Sequence, residues 1–146
     1  MAVSVNDAGK IDLPKGILTE ISELDRDVID EIKESTNKGY QVLKGSKRPV
    51  IQLAAILARD YFERWDGKGY PNGMTGEDID VSCRIAVVAD AYNTLRASFG
   101  FHELTSHEKA LTLINDASGK QFDPMLIDIF NRNEERFNQI IQEITA

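Results

Sequence analysis

The stretch ERWDGKGYPNGMTGEDID, Glu63–Asp80, lies between two apolar helical patterns, and its reading decides the fold. It holds four glycines and a proline. A structureless stretch of this length inside a compact domain is usually functional. Before it, PVIQLAAILARDYF (Pro49–Phe62) reads as a mostly buried helix, with Pro49 at the first helical position. After it, SCRIAVVADAYNTL (Ser82–Leu95) reads as a strongly apolar helix capped by Ser82. Further upstream, Asp25 caps a helical pattern that runs to Leu43, with Val28, Ile29, Ile32, Val42 and Leu43 as its apolar stripe. Downstream, Thr105 to Glu108 has capping-box spacing ahead of KALTLINDA, and Gly119 closes that helix. Asp123-Pro124 then starts a long C-terminal helix over residues 124–144. No segment calls for a strand, so the pattern predicts an all-α fold.

Composition narrows the function. The chain has 146 residues, which suits a single domain over 1–146. Hydrophobic residues are 42% and charged residues 28%, as in a globular protein. No apolar run approaches the roughly 20 residues of a membrane span, and no signal peptide is visible, so no membrane contact is expected. The lone cysteine, Cys83, reads as a small buried hydrophobe, and a reducing cytoplasm is the expected compartment. Net charge is −7, with 17 basic residues scattered among 24 acidic ones, which argues against nucleic-acid binding.

Five segments, in order, carry a family resemblance. They are DAGKIDLPKGIL (Asp7–Leu18), IKESTNKGYQVL (Ile32–Leu43), ERWDGKGYPNG (Glu63–Gly73), RIAVVADAYNTL (Arg84–Leu95) and SGKQFDPMLIDIF (Ser118–Phe130). Together they resemble the HD-GYP branch of the HD-domain metal-dependent phosphohydrolases, whose members cleave cyclic di-GMP. The resemblance implies a helical bundle of about five to six helices, lacking the family's first helices. The chain then reads as a single truncated HD-GYP-like domain.

The family's chemistry uses two or three transition-metal ions held by imidazole and carboxylate, which generate hydroxide at neutral pH. Carried over position by position, the resemblance places Asn6 where the His of the His-Asp pair stands, with its Asp kept as Asp7. A further His position falls on Ser35, and a His pair falls on Tyr61 and Phe62. The Asp that ends the VVAD segment is kept as Asp90. Asn6, Ser35, Tyr61 and Phe62 are thus degenerate metal positions, and Asp7, Lys10 and Asp90 are catalytic remnants. Two phosphate-side arginines of the family fall on Phe99 and His102. No metal or other cofactor is expected. Neither of the two histidines, His102 and His107, matches a ligand position, and both are expected at the surface.

The Gly-Tyr-Pro loop is intact. Gly67, Gly69 and Gly73 suit positive φ angles, and Pro71 stiffens the turn. Trp65 and Tyr70 have the character of interface anchors. With Asp66, these residues form the expected interaction loop. In the family this loop is linked to contacts with GGDEF domains, so a GGDEF-type or other signalling protein is the implied partner. Leu126, Phe130, Asn133, Phe137, Ile140 and Ile144 follow a short heptad, compatible with a homodimer seam or with packing on the chain's own domain.

The expected function is a catalytically inactive HD-GYP-like domain with a regulatory or interaction role in bacterial cyclic dinucleotide signalling. One alternative is a sensor that binds cyclic di-GMP without cleaving it. Another is an active phosphodiesterase with unusual ligands.

Overall fold

The computed structural model describes residues 26–96 and 105–145. Among them are six α-helices: α1 (Arg26–Leu43), α2 (Pro49–Asp60), α3 (Val81–Arg96), α4 (His107–Asp116), α5 (Pro124–Arg132) and α6 (Glu134–Thr145). A single 3₁₀ turn, Gly76–Asp78, is the only other helical element of the described chain, and no strand is formed there. The all-α expectation therefore stands.

Helix ends follow local chemistry, with two corrections. Asp80, not Ser82, caps α3: its Oδ1 accepts from the Ser82 backbone N–H at 2.8 Å. The carboxylate one residue before the helix reaches this amide, whereas the Ser82 hydroxyl already lies inside the first turn. Ser106, not Thr105, caps α4, accepting from the Lys109 N–H at 3.3 Å. At α5 the cap is the expected one. Asp123 accepts from the Met125 N–H at 2.8 Å, and Pro124 occupies the first helical position.

The long helix expected over 124–144 is instead two helices. Asn133, at φ −120° and ψ 13°, leaves helical geometry and separates α5 from α6. Its side-chain amide donates to the Ile129 carbonyl at 2.8 Å, satisfying an acceptor at the end of α5. The heptad is divided accordingly. Phe130 is buried and stacks on Phe137 at 4.9 Å between ring centroids, and both rings meet Tyr92 edge-on. Ile141 joins the same cluster.

Helix α3 is the central element, because its residues enter two cores. Cys83 and Ala86 pack with Leu57 of α2 and with Ile79. Val88 and Tyr92 pack with Ala110 and Ile114 of α4, Phe122, and Ile127 and Phe130 of α5. Small residues Ala54, Ala55 and Ala58 line the buried side of α2, which α1 packs against. The Arg59 guanidinium lies over the Tyr40 ring at 4.8 Å and joins the two helices by a cation–π contact. Among the described residues no helix is long and apolar enough to cross a membrane.

Candidate functional site

The candidate site lies where the end of α2, the Gly-Tyr-Pro loop and the middle of α3 meet. Its first determinant is Glu63. The side chain is only 4% exposed, and its two oxygens accept from the backbone N–H groups of Asn72 at 2.7 Å and Met74 at 2.9 Å. A buried carboxylate is tolerated when both oxygens are hydrogen-bonded. Glu63 therefore closes the loop on itself. The loop is also tied to the segment after α4: the Trp65 N–H donates to the Gln121 carbonyl at 3.3 Å and the Asp66 N–H to the Lys120 carbonyl at 2.8 Å.

The glycines serve different ends. Gly67 has φ +74°, a conformation that other residues rarely adopt. Gly69, which the sequence suggests for the same reason, is required by close approach instead. A Cβ there would lie 2.4 Å from the Arg64 nitrogen and 2.5 Å from the Phe62 carbonyl oxygen.

The two expected anchors are largely engaged within the chain. Trp65 is half-buried, with the Arg84 guanidinium 5.8 Å from its ring. Tyr70 stacks on Phe62 at 5.0 Å, and burial pushes its hydroxyl pKa up to about 12. Asp66 is held in a fork by Arg64 at 3.0 and 2.9 Å, which lowers its carboxyl to about 2.

The degenerate metal position Tyr61 and the catalytic remnant Asp90 are brought into direct contact. The Tyr61 hydroxyl donates to Asp90 Oδ2 at 2.5 Å. The Phe62 ring packs edge-on against Tyr61 at 5.3 Å and offers no donor atom to an ion. Ser35 is buried on α1. Asn6, Asp7, Lys10, Phe99 and His102 lie outside the described residues. No group of three or more His, Cys, Asp or Glu side chains among the described residues is placed to hold a metal. Among the described residues, the groups at these positions are a phenol and a carboxylate bonded to each other, beside a phenyl ring.

A cleft of about 700 Å³ opens beside this pair, between the aromatic side chains of Tyr61, Phe62 and Tyr70 and the apolar side chains of α3 and α4.

Several buried polar groups were not expected from the sequence. Asp60 is 1% exposed and forked by Arg59 at 2.6 and 2.7 Å. His107 is not a surface residue, because its side chain is only 13% exposed. Its Nδ1 lies 3.0 Å from the Tyr92 hydroxyl, and its Nε2 meets the Glu134 carboxylate. Position alone could not reveal this, since the contacts bridge α3, α4 and α6.

This all-helical arrangement, with its Gly-Tyr-Pro loop set between α2 and α3, defines an HD-domain protein. The chain belongs to the HD domain family, whose model matches residues 1–126, and to its HD-GYP branch. It is 34% identical over 146 residues to the cyclic di-GMP phosphodiesterase response regulator RpfG of Xanthomonas campestris pv. campestris, covering 100% of this chain and 39% of that protein. It is 31% identical over 139 residues to a cyclic di-GMP phosphodiesterase of Thermotoga maritima, covering 95% of this chain and 38% of that one. The fold matches the crystal structure of a cyclic GMP-AMP-specific phosphodiesterase of Vibrio cholerae. The TM-score is 0.66 at 22% identity, over 99% of this chain and 41% of that one. The chain thus spans about two fifths of these relatives.

Proposed function

We propose that this chain is a non-catalytic HD-GYP domain that acts through interaction in cyclic dinucleotide signalling. The hydrogen bond from Tyr61 to Asp90 carries this reading. In the resemblance both positions are metal ligands. Here one has become a hydroxyl donor bonded to Asp90, one of the two carboxylates that the resemblance keeps. Phe62 adds an apolar ring at a third ligand position. Hydroxide generation needs several imidazole and carboxylate groups converging on one ion. Asn6 and Ser35, at two further motif positions, are weak neutral donors.

The intact loop supports the interaction role. Glu63 fixes its backbone, while Lys68, Asn72, Gly73 and Thr75 remain exposed for contact. A GGDEF-type signalling protein is the partner that the resemblance favours, and a second copy of the chain is the other. A reducing cytoplasm suits the buried Cys83 thiol.

Metal content tests the reading. Protein expressed in medium rich in iron and manganese, then purified without chelator, is expected to carry either metal far below one ion per chain. A full complement that falls on Asp90→Ala would overturn it.

A further inference from the structure

Asn72-Gly73 is the one Asn-Gly pair among the eight asparagines of the chain. It lies in the Gly-Tyr-Pro loop, and both residues are exposed. Glycine has no Cβ to shield its own nitrogen, so that nitrogen can approach the side-chain carbon of the residue before it. Neither the Asn72 side-chain amide nor the Gly73 backbone N–H has a hydrogen-bond partner among the described residues. By contrast, Asn37, Asn93, Asn115, Asn131 and Asn138 lie within α-helices, where the next N–H belongs to the helix ladder. The N–H groups of Asn72 and Met74, on either side of Gly73, both donate to the buried Glu63 carboxylate, at 2.7 and 2.9 Å. One carboxylate therefore brackets an amide that is itself unbonded.

We propose that Asn72 is a site of spontaneous modification, converted by solvent to aspartate and isoaspartate. The Gly73 nitrogen attacks Cγ of Asn72, and the new C–N bond closes a succinimide ring. The side-chain nitrogen leaves as ammonia and takes up the proton that the Gly73 nitrogen gives up. Water then opens the ring at either carbonyl. One opening restores the ordinary peptide bond and leaves aspartate. The other routes the main chain through the side chain and leaves isoaspartate. Water is the only co-reactant, so the chemistry is the same whether or not the chain is catalytic.

The two products differ in what they do to the loop. Aspartate keeps the main-chain path. Isoaspartate adds one carbon to the path between the Asn72 and Met74 amides, which now fit the two oxygens of a single carboxylate. The longer path unseats one of them and opens the loop at Met74.

The test is incubation of the folded chain in heavy-oxygen water at mildly alkaline pH, below its melting temperature. Digestion afterwards in ordinary water separates reaction in the folded chain from reaction in its fragments. Peptide mass spectrometry is expected to show heavy oxygen at Asn72, with isoaspartate detected there by a methyltransferase assay. Asn72→Gln is expected to abolish both signals. Asn72 is the position to change, because Gly73 has φ +65° and a side chain there would strain the turn. Amide exchange at Met74 is expected to accelerate in the isoaspartate form and to stay slow in Asn72→Asp. A folded chain whose Asn72 stays intact while a peptide of residues 68–78 reacts would overturn the proposal. An isoaspartate form whose Met74 amide is as protected as before would overturn the effect assigned to the loop.

Discussion

Arg84 of α3 donates to Asp123 across 2.6 Å, and the same Asp123 side chain caps α5. Both side chains are largely buried, at 12% and 2% exposed. Arg84 also donates to the Ile79 carbonyl at 2.9 Å, so one guanidinium links the end of the long loop, α3 and the start of α5. Removing one member of a buried pair leaves the other charge uncompensated, at a cost of about 3–5 kcal/mol. Asp123→Ala is expected to lower stability by about that amount, with loss of the cap included. Urea unfolding that shows a change within error of zero would mean that the pair is not a stabilising contact.

Glu63 is expected to control the loop without controlling the rest of the fold. Glu63→Ala leaves two backbone amides without their acceptor, at about 1–3 kcal/mol for each group that stays buried. Amide exchange at Asn72 and Met74 should accelerate strongly while exchange in α4 stays slow. Lys68→Ala, at an exposed position of the same loop, should change neither. Uniform acceleration over the whole chain would contradict a local role for Glu63.

How much was legible follows from where each contact lies along the chain. The Asp123-Pro124 helix start and the Gly67 turn involve neighbours in sequence, and both are as the residues suggest. The cap of α3 was misplaced by two residues because aspartate and serine have similar cap preferences and both stand at the boundary. The break at Asn133 was missed because a hydrophobic heptad runs through it and a single asparagine can continue or end a helix. Asp90 was visible as a motif position, but its bond to Tyr61 joins residues 29 apart in sequence. His107 was misread for the same reason, since its partners Tyr92 and Glu134 lie on two other helices.

The His107 network is expected to hold α6 in place. Tyr92, His107 and Glu134 connect α3, α4 and α6, and Arg96 adds a bond to Asn138 at 2.9 Å. His107→Ala should cost about 1–3 kcal/mol and should raise exchange in α6 more than in α2. Equal protection of α6 in both proteins would show that the aromatic stack of Phe130 and Phe137 alone holds it.

Two pH effects have opposite signs. Asp66 is held at about 2 by Arg64, below its ordinary value of 3.8. A depressed carboxyl contributes stability above its unfolded pKa, and that contribution disappears as pH falls from about 4 towards 2. Burial raises the Cys83 thiol from 9.0 to about 12. A raised thiol contributes stability fully present below the unfolded pKa, and lost as pH rises from about 9 to about 12. NMR titration of Asp66 should give a midpoint near 2, and Arg64→Ala should bring it close to 3.8. Cys83 should resist alkylation in the native protein at neutral pH, and rapid labelling would contradict its burial.

Self-association is expected to use the face of α6 that carries Ile140 and Ile144. These side chains are 37% and 75% exposed and lie about one helical turn apart. If two copies meet there, Ile144→Asp should convert a dimer to a monomer in sedimentation equilibrium without lowering the melting temperature. An unmodified chain that stays monomeric at high concentration would leave this face without that role.

Turnover of cyclic di-GMP is the most direct measurement. The purified chain is incubated with the dinucleotide and excess manganese or ferrous iron, and linear and mononucleotide products are followed by chromatography. With Tyr61 bonded to Asp90 and Phe62 beside them, the non-catalytic reading predicts no product above the protein-free control. Hydrolysis that depends on added metal and disappears in Asp90→Ala would contradict it.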